Sequence, residues 1–563
     1  MHRYGFEMGE YMVRGSILLG VSTLALCVAG PAFAQSSSTA TQTGTNGQAT
    51  INQDGTGVNT STISQAGSDN TILIDQISAA GDANTSTVEQ AQLDGASSFM
   101  TADIDQDGEG NSSSLSQDGG AFTTTVNQSG ADNASSITQN SGFVSTNVTQ
   151  SGDQNTSTIT EASLNSQTNI NQTNTVLGAE GNTSTTTQFT DTAEITVTQN
   201  GQENESTINQ AGAQQRAIVG QTGFDNDASV SQTGFEAETN AIQIGDGNEI
   251  TVTQSGASSL NFLNQSGNNN TANVTQSGDD RSLAIVTQND DGQTATITQS
   301  VAGPADPVIS SLAIVTQSGG PNTATISQTG TAGVASLPPG NNAPFASSVQ
   351  DGLGNTSEID QSGESDLGFV TQNGDNNNAL VMQSGVNDVG VIVQTGDMNT
   401  SSVTQTMVQS GFNVGRASNF QTGNMNTSSI TQGGTGVSGD ELPLVAVTQN
   451  GDNNQSTLSQ DGEDNLAFVD QIGTGNISTF TQSASSVSNE GDINQTGTGG
   501  NSTLLQGGTD NLATLNQGGT GNNSLIDQTG TDNILTVNQT GAGDFSSITQ
   551  GGTNNNAIVT QAP

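Results

Sequence analysis

A chain of 563 residues ordinarily divides into several globular domains, yet this one is only 30% hydrophobic and 3% aromatic, with 71 glycines and a formal net charge of -48. Such a composition excludes a conventional large apolar core and leaves either a disordered polymer or a regular array. Beyond residue 34 the only basic side chains are Arg216, Arg281 and Arg416, too few to replace phosphate counterions, so nucleic acid is excluded as a partner.

The first 34 residues read as a secretory signal peptide. Arg14 precedes an apolar core from Ile17 to Val28, and Ala32-Phe33-Ala34 sets a small-x-small cleavage site between Ala34 and Gln35. The apolar run is too short for a good membrane span, and Gly30-Pro31 interrupts it, so no transmembrane segment is expected. Glu7 and Glu10 sit awkwardly in a basic leader and point to a translation start at Met8 or Met12. Cys27 follows Leu26 where a lipoprotein signal wants a small residue, which argues against a lipid anchor.

Without the leader the chain holds no Cys, His, Tyr, Trp or Lys. Most general bases, covalent nucleophiles and transition-metal ligands are therefore missing, so an enzyme is not expected, nor a cofactor, catalytic residue, metal site or stapling disulfide.

After a short N-terminal segment at 35–41, a repeat array occupies 42–563. Glutamine is its beat: Gln188, Gln199, Gln210, Gln221, Gln232, Gln243, Gln254, Gln265 and Gln276 are eleven residues apart, as are Gln495, Gln506, Gln517, Gln528, Gln539, Gln550 and Gln561. Glu161 replaces the glutamine once, between Gln150 and Gln172. In Asn322-Thr323-Ala324-Thr325-Ile326-Ser327-Gln328 alternation reveals a strand, with Asn322, Ala324, Ile326 and Gln328 facing inward. Glycine two residues after the glutamine, with Asp or Asn close behind, supplies a tight corner.

Four residues before each glutamine, alternate strands carry serine (Ser61, Ser86, Ser113, Ser135, Ser157) while those between carry Ala102, Thr124, Ala217 or Ala284. The true unit is therefore 22 residues, two strands of eleven. The fold class expected is all-β: a parallel two-strand-per-rung β-solenoid in which about 22 rungs, stacked at roughly 4.8 Å, make a rod on the order of 105 Å long. Asn and Gln fit inside because stacked amides satisfy one another up and down the ladder.

The run Gln449 to Gln482, QNGDNNQSTLSQDGEDNLAFVDQIGTGNISTFTQ, resembles the curlin repeat of curli amyloid fibre subunits, and the likeness extends over nearly the whole mature chain. By position, Asn454, Gln460, Asn465, Gln471, Asn476 and Gln482 match that family's ladder residues, and the same places farther on are Gln506, Asn511, Gln517, Asn522, Gln528, Asn533, Gln539, Gln550 and Gln561. The resemblance implies a secreted structural protein that polymerises into extracellular, cell-surface amyloid fibres for biofilm matrix and adhesion. It implies as partners further copies of itself, a nucleator subunit, an outer-membrane secretion pore and periplasmic chaperones. The chain differs from a usual curli subunit in its length, its insertions and its lack of Tyr and His after the leader.

Two alternatives have a sequence basis. A non-polymerising β-solenoid adhesin uses the same strands. Gly507-Gly508-Thr509-Asp510-Asn511-Leu512 is superficially like a calcium-binding β-roll, although the period is eleven and the second glycine and regular aspartate are mostly missing elsewhere. Outward threonine pairs such as Thr323 and Thr325 hint at an ice-binding face, but threonine is simply a good exposed strand residue and the ladder is often broken. The N-x-S/T sequons are by-products of the repeat.

Three further expectations follow from the phase. The last unit is in full register to Gln561, so end-to-end growth is expected there. The long spacings Gln299 to Gln317, Gln328 to Gln350, Gln405 to Gln421, Gln432 to Gln449 and Gln482 to Gln495 all leave a serine strand, so their loops should project from one edge. Outward positions of the other strands hold Leu283, Ile285, Leu312, Ile314, Leu466 and Phe468, candidates for lateral contact or adhesion.

Overall fold

The computed structural model describes residues 21–28, 36–78, 82–92, 99–140, 142–176, 178–189, 191–278, 281–301, 311–330, 344–409, 414–436 and 443–562. The chain divides into two compact units, Met1–Asn269 and Asn270–Pro563. All regular structure among the described residues is β-strand, and each unit is a parallel β-solenoid with two strands to the turn.

In the first unit Arg216–Phe224 lies between Glu194–Gln202 and Glu238–Ile244, with Gln199, Gln221 and Gln243 aligned in register. The intervening strands form the opposite sheet, where Gln210, Gln232 and Gln254 align in the same way. Each strand thus pairs with the one a full 22-residue turn away, and its sequence neighbour crosses to the other sheet. The sheet holding Ser61, Ser86 and Ser113 at the fourth place before glutamine is here called the serine sheet, and its counterpart the alanine sheet. The strand Ser37–Gly55 serves both, its residues 37–45 pairing with Thr60–Ser68 and 48–55 with Thr71–Ser78.

Residues 1–20 and 29–35, including Ala34 and Gln35, lie outside the described residues. The backbone of Val21–Val28 runs parallel to residues 45–53.

The second unit repeats the scheme, with Ser282–Asn289 stacked on Ser311–Gly319 and Thr294–Gln299 on Thr323–Gln328. Strand formation follows from alternation: in Thr323–Gln328 every second side chain (Ala324, Ile326, Gln328) is buried and those between face outward. Small residues four places before glutamine face large ones from the other sheet. Thr124 of the alanine sheet meets Gln117 of the serine sheet at 2.9 Å, and Gly491 makes room for the buried ring of Phe480.

Corners need glycine chiefly because the next rung is so close. Gly201, Gly223 and Gly245 have φ of 127°, 128° and 121°, and a Cβ on Gly201 would lie 1.9 Å from the carbonyl oxygen of Gly223. A second left-handed residue, four places after glutamine, was not anticipated and is mostly not glycine: Glu203, Gln214, Asp225 and Met398 have φ of 54° to 57°.

Each of the five long connections of the second unit leaves the serine sheet and enters the alanine sheet. Most of the loop residues, with Pro304, Pro307, Pro338 and Pro339, lie outside the described residues, so their projection is not described. Pro344 and Pro443 stand just before strands and use their carbonyls to accept Leu312 N–H (3.0 Å) and Arg416 N–H (3.1 Å), positions where a missing N–H costs nothing.

Candidate functional site

The interior is lined by side chains that would be costly to bury unless each amide found partners. Inward glutamines form continuous columns. In the alanine sheet Gln449 Nε2 donates to Gln471 Oε1 at 2.7 Å, and Gln471, Gln495, Gln517 and Gln539 each donate onward at 2.8 Å, ending on Gln561. In the serine sheet Gln460, Gln482, Gln506 and Gln528 donate onward at 3.0 to 3.1 Å, ending on Gln550. The second amide hydrogen goes to a backbone carbonyl, as from Gln471 to Gln455 at 2.9 Å. Both hydrogens are thereby satisfied without water.

Asparagines make the corner column with the opposite polarity. Asn533 N–H and Asn555 Nδ2 donate back to Asn511 Oδ1 and Asn533 Oδ1, both at 3.1 Å, while Asn511 Nδ2 reaches forward to the Gly530 carbonyl at 3.0 Å. Asn454 Oδ1 accepts Asn476 N–H at 3.1 Å, Asn465 Oδ1 accepts Asn489 N–H at 2.9 Å, and Asn522 Oδ1 accepts Asp544 N–H at 2.9 Å. All these expected ladder residues are buried except Gln561, which is half-buried. In the segment likened to a β-roll, the carbonyls of Gly507 and Gly508 accept hydrogen bonds from Asn511 and Asn489, so those backbone oxygens are engaged by the ladder.

Among the described residues ionisable groups enter the columns at Glu161, Asp366, Asp388 and Asp544. Glu161 takes a glutamine's place and accepts from Gln139 Nε2 (2.9 Å), Thr146 Oγ1 (2.8 Å) and Thr168 Oγ1 (2.5 Å). Its pKa is raised by burial, partly offset by those hydrogen bonds. Asp366 and Asp388 occupy the asparagine position on neighbouring rungs of the alanine sheet, where Asp388 N–H donates to Asp366 Oδ1 at 3.0 Å. Burial pushes Asp366 up to about 7; burial, with Asp366 alongside, pushes Asp388 up to about 8. The aspartates were missed because the strand pattern was read from glutamine, two-place alternation and the fourth position. The signal was available as an Asp six places before Gln372 and Gln394. An outer asparagine column, Asn494 to Asn516 to Asn538 at 3.2 and 2.9 Å, was also missed.

The outward candidates do come together. Leu283 and Ile285 align with Leu312 and Ile314, and Leu466 and Phe468 align with Leu444 and Ala446, all on the outer face of the alanine sheet and part-exposed.

These features define a parallel β-solenoid whose interior is a set of register-locked amide columns, a scaffold with repeated geometry. Residues 201–234, 225–256, 245–278, 363–406, 444–473 and 508–541 each match the curlin associated repeat. The chain thus carries six curlin associated repeats between residues 201 and 541, and these repeats and the solenoid fold point to a structural protein. No curated protein gives a significant match to it.

Proposed function

We propose that this protein is a secreted subunit that self-assembles into extracellular curli-like amyloid fibres, contributing to biofilm matrix and surface adhesion. The observation that carries this reading is the vectorial amide column: from Gln495 to Gln539 each glutamine donates to the next rung, and Asn511 accepts from the rung beyond it, so one rung is a template for another. By resemblance to curli systems, export runs through an outer-membrane pore with periplasmic chaperones, and a nucleator subunit starts growth. The test is to purify the chain without its leader and follow thioflavin fluorescence, electron microscopy and fibre diffraction. Fibres with reflections near 4.8 Å and about 10 Å are expected. A chain that stays monomeric favours a stand-alone adhesin, and folding that requires calcium favours the β-roll.

A further inference from the structure

In the second unit the two outer faces differ in chemistry. The alanine sheet from Ser282–Asn289 to Leu466–Ile472 contains eight strands, and of their outward side chains only Asp351, Arg416 and Asp470 are charged, in a chain with 53 acidic residues. Across the same rungs the serine sheet shows Thr296, Thr325, Glu358, Asp360 and Thr457, with Leu380 and Met382 as apolar exceptions on one strand. The apolar columns are continuous over neighbouring rungs: Leu312 aligns with Phe345, Phe345 with Leu367, and Leu367 with Val389, while the Phe345 and Phe369 rings lie 5.2 Å apart. Glu490 and Asp492 end the stretch. An edge column of acids rims it, with Asp375 N–H donating to Asp397 Oδ1 at 2.9 Å.

We propose that this face is a lateral interface for a second copy of the same chain, packed sheet against sheet. Area is the first argument. Eight strands by six residues span roughly 38 Å by 20 Å, about 770 Å², against the roughly 800 Å² that each partner buries in a standard-size interface. Charge is the second: two copies carrying -48 each can approach closely only through a face almost free of carboxylates, and the acidic rim disfavours an anionic membrane. Spacing is the third. Side chains that repeat with the rung interdigitate best with another ladder of the same repeat, the geometry of a dry zipper between paired sheets. The pairing needs no end-to-end growth, so it goes beyond the fibre reading and can stand without it.

The test uses the full chain carrying C27S, with one cysteine placed at the centre of the face by T371C or on the opposite sheet by T325C. Under mild oxidation the T371C chain should form disulfide-linked pairs and the T325C chain should not. Equal cross-linking at both positions, or none at T371C, would overturn the proposal. In parallel, substituting threonine for Ile314, Leu367, Phe369, Val389, Val391 and Leu466 should weaken self-association in sedimentation experiments at least tenfold. If fibres grow, this variant should elongate at the parental rate but as thinner filaments. Parental association strength or width in that variant would refute the interface. Binding of the face to phosphatidylcholine vesicles without pairing of copies would refute the choice of occupant.

Discussion

Asp366 and Asp388 put carboxyl groups where the opposite sheet sets Asn355, Asn377 and Asn399 and later strands of their own sheet set Asn465 and Asn489, and the consequence is a pH-dependent stability. Their folded pKa values of about 7 and about 8 stand above the roughly 3.9 of an unfolded aspartate, so the folded state holds more protons between those limits. Stability is therefore greatest below about pH 4 on this account, falls as pH rises through 7 and 8, and is flat above. Asp366→Asn with Asp388→Asn restores the neutral amide. Thermal melting at pH 8.5 should rise by several degrees and its pH slope from 5 to 8 should flatten; an unchanged slope would show that the pair does not titrate in this range. The pairing of Phe480 with Gly491 gives a second residue-level prediction, because a methyl group at Gly491 would lie 2.0 Å from Phe480 Cζ. Gly491→Ala should cost about 1–3 kcal/mol in denaturant unfolding, and Phe480→Ile in the same chain should recover most of it. Additive losses would show that the two sites do not share space.

At the scale of the strand and its corner, glutamine spacing and alternation were enough to place the inward face, the 22-residue turn and the two unlike sheets. Those features repeat, so noise at one rung is corrected by its neighbours. Corners were less legible: Thr192, with φ of 62°, and Met398, with φ of 56°, adopt a conformation their side chains disfavour, imposed by the backbone bonds Thr192 N–H to Leu164 and Met398 N–H to Asp375. Tertiary stacking overrides local preference there, and no single-residue signal reports it. Insertions obey the phase because a connection can lengthen without disturbing the rungs that hold its ends. Gln328 and Gln350 are 22 residues apart, one strand's worth more than the usual eleven, yet Gln328 aligns with Gln361 and Gln350 with Gln317. Deleting residues 332–342 restores the ordinary spacing and should change unfolding stability by no more than about 1 kcal/mol, since loop-closure entropy varies slowly with length. A loss of several kcal/mol would mean that the insertion packs on the solenoid.

For the whole molecule the dominant fact is charge: -48 with only five basic residues. Within a chain, the columns of amides and aliphatic side chains hold like-charged rungs together, but copies that meet must first overcome mutual repulsion. Screening acts on that encounter and hardly at all on the buried ladders, because the Debye length falls from about 30 Å at 0.01 M salt to about 8 Å at 0.15 M while interior pairs remain shielded from ions. Raising sodium chloride over that range should therefore shorten the lag before thioflavin-positive assembly and speed elongation about tenfold or more, with little change in the melting temperature of the soluble chain. Calcium chloride at matched ionic strength separates screening from specific binding. Equal acceleration fits repulsion between acidic surfaces, whereas a calcium effect that also raises the melting temperature would shift the reading to the β-roll. Assembly that is insensitive to salt would mean that the colliding surfaces are not the charged ones, and would sink this account of how the acidic chain avoids early association.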